Sequence, residues 1–228
     1  GDITARGEGS HGIHAESNMD SGLMGIRNSG TIEIGGSNAF GIKAMAYQRD
    51  DVEGSAEMNI VNTGKIALGA DATGSTGILA NNYETLGTVS LTNAGKLTVA
   101  GSNAGAISVF GNQYAGVNNT GLITTVDGSG IVAQSGPGDT IVVNTGDIVV
   151  ASQSGSATVY GINAISDYGN AAVRHAGGTL KAMGEGSIGI AVKGQNEQLI
   201  QVDANTHVDA ATGCLLYTSP SPRDMRRS

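Results

Sequence analysis

Residues 1–213 contain no cysteine. Disulfide frameworks and cysteine-held metals are therefore excluded for that stretch. Tryptophan is absent, and Phe40 and Phe110 are the only phenylalanines. A compact globule of 228 residues normally relies on more aromatic residues, because each buries a large area. Proline is scarce, at 3 residues, and the 37 glycines keep no collagen period. Neither a proline-rich linker nor a collagen helix fits. Basic clusters are missing outside the last few residues, and the formal net charge is −8. So acidic a chain repels phosphate backbones, so nucleic acid is not an expected partner. No apolar run approaches the length of a membrane span. The opening residues, Gly1-Asp2-Ile3-Thr4, carry neither an initiator methionine nor a signal peptide. The chain is therefore expected to be a piece of something longer.

The last residues differ in kind. Cys214 to Asp224 read Cys-Leu-Leu-Tyr-Thr-Ser-Pro-Ser-Pro-Arg-Asp, with the single cysteine and two of the three prolines. This segment resembles one reading frame of a transposase adapter used in sequencing libraries. Residues 214–228 are expected to be a non-native tail and are set apart from the fold. Without them the chain holds 9 basic and 19 acidic residues, a net charge of −10.

What remains is a repeat. Asn-x-Gly followed by an alternating apolar pair occurs at Asn28-Ser29-Gly30 with Ile32 and Ile34. It returns at Asn62-Thr63-Gly64 with Ile66 and Leu68, and at Asn93-Ala94-Gly95 with Leu97 and Val99. Asn119-Thr120-Gly121 carries Ile123, with Thr125 in the second apolar place. Asn144-Thr145-Gly146 carries Ile148 and Val150, and a degenerate copy, His175-Ala176-Gly177-Gly178, carries Leu180 and Ala182. From Gly30 to Gly146 the anchor glycines step by 34, 31, 26 and 25 residues. A second motif, Gly-Ile-x-Ala, alternates with the first. It stands at Gly12-Ile13-His14-Ala15, Gly41-Ile42-Lys43-Ala44, Gly77-Ile78-Leu79-Ala80, Gly130-Ile131-Val132-Ala133 and Gly161-Ile162-Asn163-Ala164. Gly105-Ala106-Ile107-Ser108 and Gly189-Ile190-Ala191-Val192 are looser copies.

The physics of one repeat follows. Alternation puts two aliphatics on one face of a strand. Asn-x-Gly before it reads as a turn, because Asn and Gly tolerate positive φ. Gly-Ile-x-Ala supplies a second short strand. A third apolar stretch precedes each Asn, as in Met58-Asn59-Ile60-Val61, Val89-Ser90-Leu91 and Ile141-Val142-Val143. Three strands and three corners make one coil. A single coil cannot bury its inward aliphatics, whereas stacked coils can. The expected fold is all-β: a right-handed, single-stranded parallel β-helix (a solenoid) of about seven coils, with essentially no α-helix. At about 4.8 Å per coil it is roughly 33 Å long. Asn28, Asn62, Asn93, Asn119 and Asn144 are expected to stack as an internal ladder at one corner.

The alternation of Asn-x-Gly-x-Ile-x-Ile with Gly-Ile-x-Ala, over residues 1 to about 213, resembles the passenger domains of bacterial autotransporters of the pertactin-like class. The resemblance implies export to the outer surface of a Gram-negative bacterium. It also implies a C-terminal translocator barrel in the full-length protein. Absence of cysteine agrees with it, since such passengers cross the outer membrane unfolded.

Candidate sites are few. His11 and His14 lack an acidic or cysteine partner to complete a metal site, and read as surface histidines; His14 and Lys43 share one outward position of the motif. Asp50 and Asp51 beside Arg49, with Asp71, Asp127 and Asp139, sit in loops. No register aligns them as a catalytic pair or calcium site, so they read as solvated acids. Tyr47, Tyr83 and Tyr168 follow Gly-Ile-x-Ala strands, and Tyr114 does so after a longer gap. They either line one edge as a surface for glycan or protein, or cover the junctions of their own coils. No catalytic, cofactor-binding or metal-binding residue is assigned. The expected function is a structural stalk or display segment, possible partners being a host or neighbouring-cell protein or glycan met through loops 46–56 and 81–88. The alternative is a polysaccharide lyase or glycosidase on the same fold. Its signature would be carboxylates, or a carboxylate and an arginine, sharing a groove across adjacent coils.

Overall fold

A computed structural model describes residues 1–18, 21–47, 54–153, 158–204 and 206–218. The described residues form strands, turns and bends, with no helix among them. The strands assemble into three parallel sheets of 8, 8 and 7 strands. Between the ends of each sheet every strand pairs with its counterpart one coil before and one coil after, giving a parallel β-solenoid of about seven turns.

The first sheet is built from the x-Ile-x-Ile segments, such as Thr31–Ile34, Lys65–Leu68, Lys96–Val99 and Leu122–Val126. The second is built from the Gly-Ile-x-Ala segments, such as Phe40–Ala46, Thr76–Asn82 and Gly105–Gly111. The third holds the stretches that end at the corner residue, such as Ser55–Asn62, Thr88–Asn93 and Tyr114–Asn119.

Register turns the repeat into columns. Ile32, Ile66, Leu97, Ile123, Ile148 and Leu180 lie opposite one another on successive coils. All six are fully buried. Facing them, Ile42, Ile78, Ile107, Ile131, Ile162 and Ile190 form the matching column of the second sheet. These columns are the interior, and each buried aliphatic contributes about 1.5–3 kcal/mol. In the third sheet the strand Asp139–Asn144 turns Val142 inward, while Ile141 stands 39% exposed. Thr125 keeps its place in the interior because its hydroxyl donates to the Gly128 carbonyl at 2.5 Å.

The corner glycines have a different cause from the one read in the sequence. Gly30, Gly64, Gly95, Gly121 and Gly146 are not among the positive-φ residues, and neither are the ladder asparagines. A Cβ on Gly64, Gly95, Gly121 or Gly146 would instead collide with the carbonyl of the glycine one coil earlier. Close stacking of corners, and not turn handedness, selects glycine there. The glycine of Gly-Ile-x-Ala is likewise packed: a Cβ on Gly130 or Gly161 would lie 2.6 Å from the next coil's carbonyl. Register also corrects one alignment. Ile107 faces Ile78 and Gly105 faces Thr76, so Ala106, not Gly105, stands in the motif's glycine place.

The strand Thr212–Thr218 runs into the segment set apart on sequence grounds. Its backbone pairs with Ile188–Gly194, Cys214 opposite Ile190. An open parallel edge offers its N–H and C=O groups to any extended segment. This pairing therefore bears on the fold and leaves the origin of those residues untouched.

Candidate functional site

The most built feature of the molecule is the corner between the third and first sheets. Five of the seven strands of the third sheet end with an inward asparagine, and parallel register places these side chains one above another. Asn28 Nδ2 donates to Asn62 Oδ1 at 2.8 Å, and Asn62 to Asn93 at 2.7 Å. Asn93 donates to Asn119 at 2.7 Å, and Asn119 to Asn144 at 2.6 Å. The second amide hydrogen of each goes to the carbonyl of its own corner glycine, at 3.2–3.4 Å for Asn28, Asn62, Asn93 and Asn119 and at 2.8 Å for Asn144. Asn62, Asn93, Asn119 and Asn144 are fully buried, and Asn28 is nearly so. The expected ladder is present, and it runs one step further. Asn144 Nδ2 lies 3.0 Å from Nδ1 of His175, which is also fully buried. The sequence signal was there: His175-Ala176-Gly177 occupies the Asn-x-Gly slot.

A second polar seam was missed. Asn82, Ser135 and Ser166 are buried where the second sheet turns into the third. Asn82 Nδ2 donates to the Ala56 carbonyl at 2.7 Å, and Ser166 Oγ to Gly138 at 2.7 Å. Each stands two residues after the alanine of a Gly-Ile-x-Ala copy (Ala80, Ala133 and Ala164), so a signal was present just beyond the motif as it was read.

Asp71 and Asp127 lie in loops between strands as expected, whereas Asp139 opens the strand Asp139–Asn144; all three acids are structural. Asp71 accepts from the Gly36 N–H at 3.0 Å, Asp127 from Gln153 at 2.6 Å and Asp139 from Asn170 at 2.9 Å. Each bond joins neighbouring coils through a backbone donor that a corner leaves over. These three are inter-coil ties and not simply solvated acids. Arg49, Asp50 and Asp51 lie outside the described residues.

The tyrosines divide. Tyr47 and Tyr83 stack across adjacent coils, with ring centroids 5.9 Å apart and 21° between planes. Phe110 continues the row 5.3 Å from Tyr83. Tyr47 and Tyr83 are 37% and 43% exposed. Tyr114 does not join them. Its ring lies over Gly116 of its own strand, where a Cβ would sit 2.5 Å from the ring. Burial, then the charge of Asp139, pushes its hydroxyl pKa up. Tyr168 is exposed and apart from the row. Thus one pair forms a row across coils, and Tyr114 covers its own coil.

His11 and His14 meet edge to face at 5.0 Å, and His14 lies 3.7 Å from Glu16. His14 and Lys43 do share a register position. Among the described residues no group of three or more His, Cys, Asp or Glu is placed to hold a metal ion.

A groove of about 320 Å³ crosses three coils on the outer face of the first sheet, lined by Thr4, Arg6, Glu33, Ala67, Gly69 and Asp71. It brings an arginine and two carboxylates together. Glu33 accepts from Lys65 Nζ at 3.0 Å, and Asp71 is held by the Gly36 N–H. Among the described residues no helix is long and apolar enough to cross a membrane, which says nothing of a β-barrel. Comparison with protein families, curated proteins and solved structures found no match.

Proposed function

We propose that this chain is a rigid stalk or display segment of a secreted surface protein of the autotransporter passenger class, anchored by a barrel in the full-length protein. The observation that carries the reading is the unbroken interior. Aliphatic columns and the buried Asn28-to-Asn144 ladder explain nearly every patterned residue by stacking alone. A stack of this kind transmits position along its axis and leaves its outer faces free to vary. Contact with a host or neighbouring cell then falls to outward side chains such as Tyr47 and Tyr83.

The test is made on cells expressing the full-length gene. Antibody to residues 1–213 should label intact cells, and protease added outside should remove the signal. Labelling that needs lysed cells would refute surface display. In a binding screen against host glycans and matrix proteins, Tyr83→Ala should lower any retention seen with the parent.

A second reading, a polysaccharide-degrading enzyme, is favoured by one observation: Arg6, Glu33 and Asp71 share a groove across three coils. Against it, Glu33 is engaged by Lys65 and Asp71 by the Gly36 N–H. Incubation with a panel of acidic and neutral polysaccharides decides. Cleavage by the parent and its loss in Glu33→Gln or Asp71→Asn would favour the enzyme.

A further inference from the structure

The asparagine ladder has a direction. Every link so far described runs donor to acceptor toward the C-terminal coils, from Asn28 through Asn144. Asn144 has spent its oxygen on Asn119 and one amide hydrogen on the Gly146 carbonyl. Its remaining hydrogen faces His175 Nδ1 at 3.0 Å. That nitrogen must therefore accept, which makes His175 a neutral imidazole with its proton on Nε2. Nε2 is buried and has no hydrogen-bond partner. The residue opposite on the next coil is Val202, which offers none. A ladder of one-way amides thus ends on a ring that can also take a proton.

We propose that His175 is an acid-sensitive terminator: neutral, it closes the ladder, and protonated, it loosens the coils that follow. The proton comes from solvent and binds Nδ1. Nδ1–H then points at the Asn144 amide hydrogen, donor against donor. Turning Asn144 over only moves the conflict to Asn119, because each amide in the series is oriented by the one before it. The cheaper response is for the ring to leave the corner, which opens the coil built from Ala171–His175, Thr179–Met183 and Ile188–Gly194 and its pairing with Gln198–Val202.

The charged groups around the ring are few. On its own strand, Arg174 points outward and binds Asp203 of the next coil at 2.6 Å. Asp203 also donates its backbone N–H to the His175 carbonyl at 2.9 Å. Its carboxylate attracts a protonated ring but is already held by Arg174. From the preceding coil, Asp147 is occupied by the Thr179 N–H at 2.8 Å. Asn144, the group in direct contact, is neutral and opposes the proton.

Because the proton binds only the opened ring, linkage makes opening easier as pH falls, by up to about tenfold per pH unit. Hydrogen exchange, corrected for intrinsic rates, is measured at pH 7.5, 6.0 and 5.0. Amides of residues 171–202 should lose protection in acid by about tenfold or more, while those of residues 55–99 hold theirs. His175→Asn supplies an Oδ1 acceptor for Asn144 and an amide that can reach the Gly177 carbonyl. It should abolish the acid response. His207→Asn should keep it, which separates His175 from the nearest other histidine. An acid response equal in parent and His175→Asn, or none in the parent, overturns the proposal. Should His175→Asn fail to fold, nitrogen chemical shifts of the parent ring decide. A neutral Nε2–H form at pH 7.5 that becomes doubly protonated as the coil opens supports it; a ring protonated in the closed coil refutes it.

Discussion

Replacing Asn93 by alanine probes the feature that most distinguishes this interior from an ordinary apolar core. Asn93 is fully buried. It accepts from Asn62 at 2.7 Å and donates to Asn119 at 2.7 Å and to the Gly95 carbonyl at 3.4 Å. Truncation leaves one Asn62 N–H and the Asn119 oxygen without partners, away from water. An orphaned buried polar group costs about 1–3 kcal/mol, so Asn93→Ala should cost about 2–6 kcal/mol. Asn28→Ala should cost less. Asn28 heads the series and is 7% exposed; its loss orphans the Asn62 oxygen and frees the Gly30 N–H, which is only partly buried and can turn to water. Asn93→Asp is the sharper test. It keeps the volume and the bond from Asn62, but turns an oxygen toward the Asn119 oxygen and the Gly95 carbonyl, with a buried charge added. Burial raises the pKa of that new carboxyl. Its penalty is then greatest at neutral pH and is relieved as acid neutralises it, opposite in sign to an exposed, ion-paired aspartate. Urea unfolding followed by circular dichroism measures all three. A cost for Asn93→Ala within about 0.5 kcal/mol, the range of ordinary surface changes, would refute the reasoning.

Ile66→Asp places a charge at a fully buried position with no cation to pair it, and should abolish cooperative unfolding; Ile66→Val should cost about 0.5–1.5 kcal/mol. Gly95→Ala drives a methyl into the Gly64 carbonyl of the coil before. It should cost about 1–3 kcal/mol, seen as a lower urea midpoint. Arg174 and its hydrogen bond hold the Asp203 carboxyl below the usual aspartate range. Stability from that pair is present at neutral pH and is lost as pH falls through the lowered value. Asp203→Asn should therefore narrow the difference in Tm between pH 7 and pH 2.5, and an unchanged difference would count against the pair.

Much of the fold was legible because a solenoid repeats a local rule. Alternating Ile66 and Leu68 after Asn62-Thr63-Gly64, met again at Leu97 and Val99, state strand, face and corner together. The ladder followed from the same recurrence. Other features depend on which coil lies above which. Asp71 reads as a loop acid until register brings the Gly36 N–H to it. Tyr114 and Tyr83 look alike in sequence, yet one folds over Gly116 while the other stacks on Tyr47. The groove of Arg6, Glu33 and Asp71 joins three coils, and no linear motif marks it.

By itself the sequence determined the architecture, since a chain with this spacing of aliphatics can bury them in no other way than by stacking. Tertiary structure decided the chemistry of the contacts between coils. It set the direction of the amide ladder, its end on His175, and the reason for the corner glycines, which is crowding by the neighbouring coil and not backbone conformation. Those properties arise between residues some 25 to 34 positions apart, where distance is set by register and by nothing within either segment alone.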